Sequence, residues 1–138
     1  MEVKEFEAAL RNLIPTKIEW FEKLESGKPY HFDAWKHDRL GQACMYYSFA
    51  SRDGSRRNRK RVVTSEIRAA LQHLRDLGSL DREAFRDACP TSASDGACGF
   101  AVVGRILEAL VVALYAAGEA RFNLTDSRIA AALLGGRE

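Results

Sequence analysis

The chain has 138 residues, the length of one domain of ordinary size or of two very small ones. Hydrophobic residues at 46% and charged residues at 29% exclude a disordered tail, and a chain this long buries a core without disulfides or metal. The formal charge of +2, from 21 basic and 19 acidic residues, by itself predicts no polyanionic partner.

In chain order, Met1–Glu7 alternates acids with apolar residues, so no leader of the signal-peptide type is expected. A first helix is predicted over Val3–Leu13, with Phe6, Leu10, Leu13 and Ile14 on one side, and Pro15 ends it. Thr16, with Glu19 three residues on, reads as the capping box of a second helix that places Ile18, Phe21 and Leu24 inward and leaves at Gly27. Asp33 reads as the N-cap of a third, Ala34–Leu40, ending at Gly41. Eight aromatic residues fall between Trp20 and Phe49. They read mainly as the N-terminal core, with a base-stacking platform as the alternative.

Residues 44–63 admit two readings. As helix, Leu40–Ser51 continues from Asp33 and a basic loop follows. As hairpin, Cys44–Phe49 pairs with Arg57–Val63 around Asp53-Gly54, which is the reading we favour. Side chains alternate along a strand, so the hairpin puts Arg57, Arg59 and Arg61 on one face.

The second half carries clear helical spacing. Thr64 or Ser65 caps a helix with Ile67, Ala70, Leu71, Leu74 and Leu77 inward, closed by Gly78. Ser79 or Asp81 opens a short helix burying Leu80, Ala84, Phe85 and Ala88, with Pro90 just beyond it. After a polar connection, Asp95 reads as the cap of a helix running to Leu110, with Phe100, Val103 and Leu107 on one side. Arg105 and Glu108 inside the apolar stretch Phe100–Ala117 argue against a membrane span. Val112–Tyr115 and Ala120–Leu124 around Gly118 fit a hairpin. Thr125 or Asp126 caps a last helix through Leu134, and Gly135-Gly136 end it.

Charge is far from evenly spread. Arg52, Arg56, Arg57, Arg59, Lys60 and Arg61, against Asp53 alone, give the ten residues 52–61 a local charge of +5 and leave −3 for the rest of the chain. A cluster of this kind raises the local potential and releases counterions from a phosphate backbone, although a solvated loop looks the same in sequence. The three cysteines, Cys44, Cys89 and Cys98, are odd in number and widely spaced, which favours free thiols in a reducing cytoplasm. His31, His37 and Cys44 lack the tight spacing of a zinc site, so neither a metal nor another cofactor is expected. Without a spaced nucleophile and base, the chain reads as non-enzymatic.

Glu66-Ile67, Leu71, Leu74, Leu80–Phe85, Gly104–Leu110 and Ala120–Thr125 together resemble the winged helix-turn-helix superfamily over roughly residues 64–134. That resemblance implies duplex DNA binding, with the third helix in the major groove and the wing beside the backbone. Two departures stand out. Val111 occupies a position that is commonly glycine in this pattern, so residues 111–117 are open to a strand or a helical reading. The third helix also offers few outward base-reading side chains beyond Arg105.

These readings combine into a mainly α chain with small β-hairpins: a helical part over 1–63, with its basic segment at 52–61, and a winged-helix-like part over 64–138, or one continuous domain. The expected function is nucleic-acid binding, duplex DNA first, as a regulator or accessory subunit. Phosphate contacts are expected from Arg52, Arg56, Arg57, Arg59, Lys60 and Arg61, with Arg105 and Arg121 on the winged helix. The alternative is an interaction or oligomerisation module that binds a second copy or another protein.

Overall fold

A computed structural model describes residues 3–135. Gly136 and the first two residues of Met1–Glu7 lie outside the described residues. The architecture is mixed α/β, 44% helical and 26% strand, which corrects the expectation of a mainly α chain. The difference lies in residues 16–63. They form β1 (Trp20–Phe21), β2 (Tyr30–His37), β3 (Ala43–Ala50) and β4 (Arg57–Val63), an antiparallel sheet in the order β1-β2-β3-β4. All eight aromatic residues of the Trp20–Phe49 stretch lie in these strands, where broad rings pack well on a pleated, half-buried surface.

A bulge explains why the alternation was hidden. The β2–β3 register shifts between Phe32 and Ala34, so Phe32 and Trp35 both face inward with ring centroids 6.0 Å apart. A spacing of three positions between inward side chains imitates a helix, which is why 34–40 read as one; the helix expected over 16–27 is absent as well, and Trp20 and Phe21 pair with β2 instead. The favoured hairpin is present: Cys44 pairs with Val63, and the ladder runs to Ala50 and Arg57. Gly54 sits at φ 74° in its turn, a conformation that glycine adopts without steric cost.

The inner face of this sheet buries Phe21, Tyr30, Met45, Tyr47 and Val62. Against it pack α1 (Val3–Leu13), through Phe6 and Leu10, and α2 (Thr64–Leu77). Trp35 Nε1 donates to the Ile14 carbonyl at 2.9 Å, fastening the end of α1 to β2. Strand β4 runs directly into α2 at Val63-Thr64; Val63 is the N-cap, and no side chain caps the helix.

From α2 the chain continues through β5 (Ser79–Leu80), α3 (Arg82–Ala88), α4 (Pro90–Asp95), α5 (Gly99–Ala109), β6 (Ala113–Ala116), a 3₁₀ turn, β7 (Arg121–Leu124) and α6 (Ser127–Leu133). Pro90 lies just beyond the end of α3, as expected, and also opens α4, because its missing N–H is no loss in a first turn; the polar connection expected there is thus partly helical. Asp81 and Asp126 cap α3 and α6 as expected. Asp95 does not cap α5; it accepts instead from the Arg61 amide and guanidinium. The small sheet has the order β5-β7-β6.

Helix α5 is the centre of the molecule. Phe100, Ala101, Val102, Val103, Ile106 and Leu107 are all buried, and so are Gly99 and Gly104. One continuous cluster of buried apolar residues runs from Phe6 through Val62, Ile67 and α5 to Phe122 and Ala130. Among the described residues no helix is long and apolar enough to cross a membrane. Helix α5 stops because Leu110 ends it and Val111 takes φ 65°. The strand reading of the segment after it is therefore the observed one, with Ala113–Ala116 paired to β7.

Two substitutions should move stability in opposite directions. A methyl at Gly104 would overlap the Phe122 ring, so Gly104→Ala is expected to cost about 1–3 kcal/mol. Val111 is 63% exposed and β-branched in the left-handed region, so Val111→Gly should stabilise by up to about 1 kcal/mol. Urea unfolding of both variants beside the parent checks the two signs.

Candidate nucleic-acid interface

The outer face of the first sheet collects the polar side chains that the inner face excludes. Cross-strand pairing places His31 opposite Ser48, Ser48 opposite Arg59, Tyr46 opposite Arg61 and Ala50 opposite Arg57, while Trp20 pairs with His31 at the β1 edge. Trp20, Arg57 and Arg59 are exposed, and Tyr46 is half-buried.

A hydrogen-bonded chain ties this face together. Glu19 Oε2 lies 2.7 Å from His31 Nε2. The bulged Asp33 sits 3.8 Å from His31 Nδ1 and 3.5 Å from Arg59 Nε. Asp33 Oδ1 also accepts from Ser48 Oγ at 2.8 Å, and Ser48 Oγ in turn accepts from Arg57 Nε at 2.8 Å. The Arg59 guanidinium lies 4.6 Å above the Tyr46 ring centroid, and Lys36 Nζ is 5.6 Å from the same ring. Ser48 lies beneath this network, only 2% exposed, so it positions Arg57 and Asp33 and is itself shielded from solvent.

The expected phosphate contacts do not form one surface. Arg57 and Arg59 project from the outer face, and Arg52 and Arg56 are exposed in the adjoining β3–β4 turn, so these four share one end of the sheet. Arg61 is spent internally. Its guanidinium meets Asp95 at 2.8 Å and Asp38 at 3.4 Å, and these charges outweigh the burial that opposes its protonation. Lys60 lies on the opposite face, its stem against Gly96. Arg105 donates to the carbonyls of Glu22 and Lys23 and pairs with Glu108 at 2.8 Å, which pins α5 to the chain after β1. Arg121, on the second sheet, pairs with Glu119 at 2.8 Å and donates to Asn123. The structure does not bring Arg105 and Arg121 together with the basic turn. With α5 buried nearly all round, its base-reading role would require the core to open.

The turn itself is built around Asp53. Its carboxylate accepts from the Ser55 amide at 2.9 Å, the Ser55 hydroxyl at 2.7 Å and the Ser51 hydroxyl at 2.8 Å. Those bonds, the Ser55 amide foremost, hold its pKa down to about 2. The one acid in the basic segment is therefore occupied by the turn. Beside it, a cleft of about 410 Å³ is lined by Lys23, Lys28, Phe49 and Arg52, which adds two lysines from the β1–β2 loop to the same end.

In the sequence, His31, Lys36 and Ser48 had no place in this site, and Trp20 and Tyr46 stood only within an aromatic group read mainly as core, with a base-stacking platform as the alternative. The only signal for them was the aromatic density, since Trp20 and Tyr46 are the members of that set that point away from the core. The cysteines stay separate as free thiols. Burial, with Asp38 nearby, pushes Cys44 up to about 11, burial likewise raises Cys89, and Cys98 Sγ lies 3.0 Å from Tyr47 Oη. Among the described residues no three ligand-type side chains gather to hold a metal.

Comparison with known proteins finds no family model, no curated protein and no solved structure that matches this chain.

A pH titration tests the turn. Asp53 has a folded pKa below the ordinary 3.8, so its contribution is complete above that value and is lost as pH falls through about 2. Carboxyl carbon shifts followed by NMR should place its midpoint near 2, and Ser55→Ala should move it upward. A midpoint near 4 in the parent would contradict the hydrogen-bonded turn.

Proposed function

We propose that this chain is a non-enzymatic nucleic-acid-binding protein, acting as a regulator or as an accessory subunit of a larger assembly. The observation that carries the reading is the grouping of Arg52, Arg56, Arg57 and Arg59, all exposed, on one sheet end, with Lys23 and Lys28 at the adjoining cleft. Cations gathered this way neutralise adjacent phosphates and release their counterions. Phosphate contacts of this kind position a partner without reading its sequence. The order α2-β5-α3-α4-α5-β6-β7, with the small sheet arranged β5-β7-β6, supports a winged-helix-like reading of residues 64–134. In that reading α5 acts as core, and the contact surface moves to the first sheet. Three free thiols support a reducing, cytoplasmic setting.

A second reading, an interaction module, draws on Val111 and Leu114. Each is 63% exposed, and they lie close in sequence at the start of β6 and just before it. Light scattering over a concentration series would reveal self-association through this patch.

Salt dependence tests the first reading. For roughly four phosphate contacts, affinity for a labelled oligonucleotide should fall about 100-fold between about 50 and 200 mM salt. Arg57→Gln should lower the slope of log affinity against log salt by about one, and Arg121→Gln should leave it unchanged. Absence of binding at the lower salt would overturn the assignment.

A further inference from the structure

Resting on the nucleic-acid reading, we infer that the outer face of the first sheet takes single strands, DNA or RNA, with bases stacked on Trp20 and on the Arg59 guanidinium. Three observations carry this choice over a duplex.

The first is the exposure of Trp20. It is 51% exposed on the edge strand β1, beside a cleft that it shares with Arg105 and Glu108, although burying a tryptophan is among the larger apolar gains a fold can make. The His31 ring packs beside it from the neighbouring strand at 4.2 Å, and Glu19 fixes that imidazole by its 2.7 Å contact. The indole is thus held in place while much of it stays open. The second is Arg59. Its guanidinium spreads over Tyr46 at 4.6 Å and is steadied by Asp33 at 3.5 Å, while 46% of the side chain remains accessible. A planar cation laid on an aromatic ring is itself a surface on which an unstacked base can lie.

The third is spacing. Adjacent strands lie about 4.8 Å apart, so Trp20 on β1 and Tyr46 on β3, two strands away, are separated by about 10 Å across the sheet. Bases inside a duplex are stacked on one another and cannot reach two separate platforms on a protein surface; splayed bases of a single strand can. Arg57, Arg56 and Lys36 border the platforms with charge for the intervening phosphates. The acids on this face do not oppose them, because Glu19 and Asp33 are engaged with His31, Ser48 and Arg59.

The test uses the full chain and three fluorescein-labelled probes: oligo(dT) and oligo(U), each of about 12 nucleotides, and a mixed-sequence duplex of the same length. Anisotropy should show both single strands binding at least about tenfold more tightly than the duplex. Trp20→Ala should weaken single-strand binding roughly 10- to 100-fold, with Trp20→Phe recovering most of it. Arg59→Lys keeps the charge and loses the plane, so it should lower affinity while leaving the salt slope unchanged. In a Trp35→Phe background, where Trp20 is the sole tryptophan, saturation with oligo(dT) should quench the emission. Circular dichroism confirms that each variant is folded. Equal or tighter duplex binding, unchanged affinity in folded Trp20→Ala, or unmoved Trp20 emission would overturn this inference and leave the nucleic-acid reading standing. A strict requirement for oligo(U) would also overturn it, since stacking and charge do not read the 2′-hydroxyl. No binding of any probe at low salt would remove both.

Discussion

The Glu66 carboxylate is buried at the start of α2 and accepts three hydrogen bonds, from the Thr91 amide at 3.0 Å and from the Ser92 amide and hydroxyl at 2.8 and 2.7 Å. Hydrogen bonds to a charged acceptor contribute about 1.5–3 kcal/mol each, and a buried carboxylate without them would be costly. Their geometric effect is to dock α4 at the junction of β4 and α2. From there Ser92 Oγ accepts the Val63 amide at 2.9 Å, and Asp95 accepts the Arg61 amide at 2.7 Å. The edge of β4 is thereby locked on its C-terminal side. Arg59 and Arg57 lie one and two steps further along the same face, so their direction follows from this anchor.

The same anchor explains how one strand serves two purposes. At its C-terminal end β4 is structural: Val62 and Val63 are fully buried, and Arg61 is absorbed by two aspartates. At its N-terminal end it is open and cationic. The basic run in the sequence is therefore not one surface. It splits by strand parity, which sends Lys60 to the far face, and by depth, which removes Arg61.

Helices α2, α3, α5 and α6, the β3–β4 hairpin and the β6–β7 hairpin were legible in the sequence, because their apolar spacing and their glycine turns are local properties; α4, a short polar helix, read as a connection. The N-terminal sheet was not. Its clearest strand, β2, is broken by a bulge that spaces Phe32 and Trp35 like helical neighbours, and Asp33, which looks like a helix cap, is the bulged residue that bonds Ser48. Clustering of the arginines was readable as composition, but their partners were not. Asp38 and Asp95 are distant in sequence from each other and converge on Arg61 only after α4 docks. Trp20 and Tyr46 were visible as aromatics, and only the register separates them from Phe21 and Tyr47, which are in the core.

Each sheet also ends in a strand whose outward backbone is answered by side chains. On β4 the Arg61 and Val63 amides are taken by Asp95 and Ser92; on β6 the Tyr115 amide is taken by Glu108 at 2.8 Å. An uncovered edge is a template on which further strands can be added, and proteins commonly blunt it with charge or with a covering element. Here acidic and hydroxyl groups fill the donor positions that an incoming strand would need. Edge-to-edge pairing is blocked at those points, so neither strand offers its full row of amides to an added one.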